Sequence, residues 1–297
     1  MSSRLRVSFD GNIAEDHVIC WGITVALLKK SLFGKTAEER KRVIRKKVSQ
    51  AIEELGIVDI AGSNEFRVSM LSAWVRYYVF KLETGGKSYV LNILSPNSPI
   101  KSFRKILDPL KGLFEKYSKN IARPLAYTDE FMLQEWIDGV PLSEFRDGDI
   151  MKSDPDTVRM IEESIFRTAK LLYQLWKDGY IYTPWEDYEV MYRNGDIILL
   201  DVTRFSKRAD GKFFDYYYGA PFTPPDVIKP SDNPVHRLYY RGVSEKDYFG
   251  VDRKKYLKLF LMGIASECKS FEEFSRICPP ELNAESIWTI SDLQQRL

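Results

Sequence analysis

Residues 179–205 read GYIYTPWEDYEVMYRNGDIILLDVTRF, and the fold turns on how this stretch is read. Gly179 at its start is a helix stop. The tetrapeptide RNGD, 193–196, is a tight-turn signal, so short strands are expected around 190–193 and 197–200. The second of these is an apolar run, IILL, that ends on Asp201.

Reading upstream, Val158, Ile161, Ile165, Thr168, Leu172, Leu175 and Trp176 recur at helical spacing and predict a long amphipathic helix that ends at Gly179. Before it, FMLQEWIDGVPL (131–142) reads as a strand running into a Gly/Pro turn, and 98–120 as helix interrupted at Pro109. The segments 74–83 and 87–94 are rich in β-branched and aromatic residues and flank Gly85-Gly86, which is a hairpin signal. Nearer the start, Thr36 and Glu39 form a capping box, Ile44, Val48, Ala51, Ile52 and Leu55 follow at helical spacing, and Gly56 stops the helix. Downstream come a Pro-rich loop at 219–234, a helix near 252–266 and short C-terminal helices. The fold class is therefore α+β: a helical N-terminal segment, a β-rich part with one helix, and a mostly helical part.

Composition narrows the function classes. Lys+Arg 44 against Asp+Glu 42 gives a net charge of +2, too balanced to demand nucleic acid or an anionic surface. The longest apolar run, 18–28, is well short of the roughly 20 residues that span a bilayer, so no membrane span is expected. Cys20, Cys268 and Cys278 have no CxxC spacing, and with only His17 and His236 beside them a zinc site is not expected. An intracellular, reduced, cytoplasmic protein is the default expectation. The 40–47 stretch of the N-terminal helix carries Arg40, Lys41, Arg42, Arg45, Lys46 and Lys47, facing Glu38, Glu39, Glu53 and Glu54. A nucleic-acid-binding face is one reading; a solvated mixed-sign face is the plainer one.

The order of these elements, and the phrases within them, resemble the protein kinase-like superfamily. YVLNIL (89–94) is similar to the third strand of the N-lobe, FMLQEWIDGVPL to the hinge, and GDIILLDVTRF (195–205) to the strand and DFG segment. GAPFTPPDVI (219–228) resembles the APE segment, and the helical segment ahead of the match resembles that of RIO-type kinases. The resemblance implies a bilobal fold with an N-terminal helical extension at 1–65, an N-lobe at 66–135 and a C-lobe at 136–297.

Under that resemblance, the residues present do not meet the demands of phosphoryl transfer, which are a lysine on the phosphates, metal ligands, a proton-accepting carboxylate and a loop over the nucleotide. Asn92 stands at the lysine position, and the segment 66–80 has no glycine through which backbone amides could approach phosphate. Tyr182 takes the histidine position of HRD and Pro184 that of its aspartate; a positioned base typically contributes ~10²–10⁴ in rate. Asp201 alone is intact, with Glu189 at the metal-binding asparagine position and Glu186 as a further metal candidate. Asp226 replaces the APE glutamate, and Ile287 the arginine that would pair with it.

The expectation is a degenerate kinase-like protein, a pseudokinase, with no cofactor and a protein partner. An alternative is an atypical phosphotransferase using ATP and Mg²⁺, with Glu186 or Asp187 as base and Asp201 with Glu189 on the metal. A second alternative is nucleic-acid binding through the 40–47 face. The aromatic run Phe213, Phe214, Tyr216, Tyr217 and Tyr218 reads as a contact patch or, more plainly, as a loop packed on the helical part.

Overall fold

The structure is a computed structural model that describes residues 5–10, 37–73, 76–95, 98–141, 154–182, 190–213, 253–278 and 282–296. The chain divides into two compact units, one of residues 1–118 with 122–137 and the other of residues 119–121 with 138–297.

In the first unit, strand β1 (Arg6–Phe9) and helices α1 (Ala37–Glu54) and α2 (Ile57–Ala61) precede strands β2 (Glu65–Ala73), β3 (Tyr77–Thr84) and β4 (Lys87–Leu94). Helix α3 (Phe103–Leu107), a 3₁₀ turn at Asp108–Leu110 and helix α4 (Lys111–Lys116) lead to strands β5 (Pro124–Tyr127) and β6 (Phe131–Glu135). The sheet order is β1-β2-β3-β4-β6-β5; β1 runs parallel to β2, and the other pairs are antiparallel. The β3–β4 hairpin turns at Gly85 and Gly86, with φ of 52° and 76°; two successive left-handed residues are what a two-residue turn matched to strand twist requires. Pro109 lies in the 3₁₀ turn that divides α3 from α4, where its missing N–H breaks the helical ladder.

Strand alternation gives the sheet two faces. On one lie Phe66, Val68, Tyr78, Phe80, Leu82, Leu91, Ile93, Phe131 and Leu133, all buried in one core with Ile44, Val48, Ala51, Ile52 and Leu55 of the helix and its end. The apolar stripe of α1 thus docks through the residues its spacing predicts. Each fully buried aliphatic side chain of that stripe contributes about 1.5–3 kcal/mol. β1 and α1 share the core of the sheet, because an amphipathic helix must bury its stripe and the large apolar residues of this face cover it. Thr36 of the expected capping box lies outside the described residues.

In the second unit, strand β7 (Val140–Pro141) precedes helix α5 (Pro155–Lys177), then come β8 (Tyr180–Tyr182), β9 (Val190–Arg193), β10 (Asp196–Leu199), a 3₁₀ turn at Val202–Arg204 and β11 (Phe205–Lys207). Helices α6 (Arg253–Ala265), α7 (Phe271–Ile277) and α8 (Ala284–Arg296) complete it. Asp154 caps α5, accepting from the Asp156 N–H at 3.0 Å and the Thr157 hydroxyl at 2.6 Å, with Pro155 at the first helical position. The β9–β10 hairpin turns at Asn194-Gly195, as RNGD predicts. Helix α6 crosses α5 at Gly263, where a β-carbon would lie 2.3 Å from the Phe166 carbonyl oxygen and 2.9 Å from the Ala169 β-carbon. The N-terminal region is thus built on a β-sheet and the C-terminal region is mostly helical.

Candidate functional site

Asn92 sits mid-strand in β4, in register with Val79 on β3 and Met132 on β6, on the face opposite α1. Its side chain is 3% exposed and its amide N–H donates to Gln134 Oε1 at 2.8 Å. The Gln134 amide in turn donates to the Ala122 carbonyl at 3.0 Å. Both polar groups are buried, so each bond relieves a desolvation penalty that would otherwise stand. A second contact on this face joins Lys81 of β3 to the Trp136 ring, 4.7 Å from Nζ to centroid, with Glu83 Oε1 at 2.6 Å. Lys87 begins β4 at the hairpin turn, exposed.

Tyr182 and Asp201 meet in the second unit. Strands β8 and β11 pair antiparallel with Tyr182 opposite Phe205, their rings 4.7 Å apart, and Tyr182 is fully buried. Asp201, two residues beyond β10, donates its backbone N–H to the Tyr182 hydroxyl at 3.3 Å. Its carboxylate caps the 3₁₀ turn that follows: Oδ1 accepts the Thr203 N–H at 2.9 Å and the Thr203 hydroxyl at 2.7 Å. Oδ2 lies 3.3 Å from Nε of Arg204, and the two side chains are 9% and 10% exposed. Pro184, Glu186, Asp187 and Glu189 lie outside the described residues, as does Asp226. Ile287 is buried in α8.

Of the aromatic run, Phe213 is buried edge-on to Tyr173 at 5.6 Å and to Trp176 at 6.1 Å; its remaining members lie outside the described residues. On α1, Lys41 pairs with Glu38 at 3.3 Å, Lys47 pairs with Glu130, and the Arg45 guanidinium lies 5.5 Å from the Phe9 ring. Those three cations have intramolecular partners. Burial pushes the Cys268 thiol up to about 11, which keeps it protonated and a poor nucleophile at neutral pH.

No family model matches the sequence. A protein of Archaeoglobus fulgidus (strain ATCC 49558), described as "Uncharacterized protein", is 65% identical over 275 residues, which covers 92% of this chain and 94% of that one. The chain belongs to the family of that protein. Among solved structures it is similar to the M. tuberculosis PknI kinase domain, with a TM-score of 0.40 at 13% identity over 78% of this chain and 96% of that one. It is also similar to the complex of Rv3197 with erythromycin from Mycobacterium tuberculosis, with a TM-score of 0.38 at 12% identity. That likeness covers 72% of this chain and 65% of the Rv3197 chain.

Asn92 and Asp201 are each engaged by groups of this chain. A neutral amide committed to Gln134 offers phosphate no positive charge. A divalent ion takes carboxylate oxygen at about 2.0–2.6 Å; here Thr203 donates twice to one oxygen of Asp201 and the Arg204 guanidinium lies beside the other. Among the described residues no group of three or more His, Cys, Asp or Glu side chains is placed to hold a metal, and no helix is long and apolar enough to cross a membrane. The Gln134 partner of Asn92 and the Arg204 partner of Asp201 were not anticipated from sequence. The first has no sequence signal, because it arises from sheet register. The second has one, since Asp201-x-Thr203 is an Asx-type capping pattern followed by an i,i+3 arginine.

Proposed function

We propose that this protein is a kinase-like binding module that does not transfer phosphate. The fold reading is supported by element order: five antiparallel strands arranged β2-β3-β4-β6-β5 with a helical segment between β4 and β5, then a long helix, a short strand, a hairpin and the turn at Asp201. This is the arrangement that the sequence resemblance implies. The observation that carries the functional reading is Asn92, a buried side chain on the third of those five strands, bonded sideways to Gln134. Were a lysine's charge needed there, its place is filled by a neutral amide that already has a partner.

What remains is a scaffold on which a protein partner docks, and that partner is a proposal of the same standing. The test is a melting experiment on the full chain with ATP titrated in the presence and absence of Mg²⁺ or Mn²⁺. A ligand that binds the folded state stabilises it by RT ln(1 + [L]/Kd), so the expected result is a melting temperature independent of ATP. A midpoint that climbs with ATP concentration, and more so with the divalent ion, contradicts the proposal.

A further inference from the structure

We propose that Arg204 is the resident counter-ion of Asp201, taking at that carboxylate the place that a divalent cation holds in a phosphotransferase. The inference rests on the kinase-like reading for what the position would otherwise do; the charge arrangement itself stands on geometry. Asp201 lies just past the buried strand β10, with its carboxylate nine-tenths buried. A carboxylate so withdrawn from water keeps its charge only where donors and an opposite charge replace the lost hydration. Three such groups come from the next three residues: the Thr203 N–H at 2.9 Å, the Thr203 hydroxyl at 2.7 Å and Arg204 Nε at 3.3 Å.

The set is local in sequence, so the 3₁₀ turn at Val202–Arg204 assembles it whenever the turn forms. Arg204 is itself 10% exposed, so both charges of the pair are withdrawn from water. Directly after the turn, Phe205 begins β11 and packs on Tyr182, whose hydroxyl accepts the Asp201 N–H at 3.3 Å. The ion pair therefore fixes the path from β10 into β11. A metal at Asp201 would meet, 3.3 Å from Oδ2, a buried arginine that has no charge-free form at accessible pH.

The experiment measures the melting temperature of full-length wild type, D201N, R204Q and the D201N/R204Q double variant in chelated, metal-free buffer, with Mn²⁺ titrated and followed by its free-ion EPR signal. D201N and R204Q are each expected to lower the midpoint by roughly 3 °C or more. The double variant should lose less than the sum, because the two groups compensate one another. Any Mn²⁺ bound by the wild type should be bound equally by D201N. Additive losses, or no loss in either single variant, overturn the inference, as does Mn²⁺ that wild type binds and D201N releases. If D201N or R204Q fails to fold, the Mn²⁺ titration of wild type still decides: no bound ion supports the proposal. An ion that ATP-independent addition of Mn²⁺ places within reach of Asp201, seen as paramagnetic broadening of β10 and β11 resonances, overturns it. A wild type that turns over no ATP yet loads Mn²⁺ through Asp201 sinks this inference and leaves the proposed function standing. ATP turnover with a coupled, metal-free Asp201–Arg204 pair does the reverse.

Discussion

A single amide carries much of the account. Asn92 and Gln134 bond across β4 and β6 in a place where both are cut off from solvent. Asn92→Ala removes that donor from Gln134 Oε1, and losing a buried hydrogen bond costs about 0.5–1.5 kcal/mol. The denaturant midpoint should fall accordingly, with an unchanged slope. Asn92→Lys should also destabilise, because an ammonium enters a buried place now held by a neutral amide, and it should confer no ATP response in the melt. Asn92→Lys protein that is as stable as wild type and gains ATP-dependent stabilisation would show that only the charge was missing. The Asn92 position was legible because strand signals and the hairpin glycines fix its place in β4. Its partner was not, because Gln134 is reached through a register that spans 42 residues of sequence.

At the scale of elements, two junctions hold the helical unit and each makes a prediction. Helix α6 approaches α5 so closely at Gly263 that a methyl group would meet the Phe166 carbonyl at 2.3 Å. Backbone cannot yield as a side-chain tip does, so Gly263→Ala should cost about 1–3 kcal/mol and Gly263→Val more, read as a drop in the thermal midpoint. Helix α7 begins with Ser270 accepting from the Glu273 N–H at 3.2 Å, while Glu273 accepts from the Lys269 N–H at 2.7 Å and the Tyr173 hydroxyl at 2.8 Å. The Lys269 amide, with the Tyr173 hydroxyl after it, holds the Glu273 carboxyl below the usual glutamate range against the opposing effect of burial. A depressed folded value contributes stability that is present above the unfolded value of about 4.3 and is lost as pH falls through the folded one. Glu273→Gln should therefore lie furthest below wild type near neutral pH and converge with it as pH falls below about 4.3. A gap that stays constant across that range would assign the loss to packing. The α5 helix and both two-residue turns were legible from periodicity and from Gly85-Gly86 and Asn194-Gly195. The α6 contact was not, since a lone glycine in a helical pattern names no partner.

Over the whole molecule, the N-terminal segment belongs with the sheet instead of standing ahead of it. Ile52 of α1 is fully buried in the core that lines one face of β2, β3, β4 and β6. Ile52→Ala should cost about 2–5 kcal/mol, and a chain that begins after Ala61 should fail to form the sheet. Retained β-structure by circular dichroism in that shortened chain would restore the boundary near residue 65. The change from helical to strand periodicity near residue 65 is sharp in sequence, while burial of the α1 stripe on the sheet has no local signature. On the proposed reading this kinase-like arrangement transfers no phosphate. The most direct measurement is release and incorporation of the γ-phosphate of radiolabelled ATP by full-length protein with Mg²⁺ or Mn²⁺. The expected signal is no greater than in the protein-free blank; phosphate transfer that Asp201→Ala or Asp187→Ala abolishes in folded protein would contradict the proposed function.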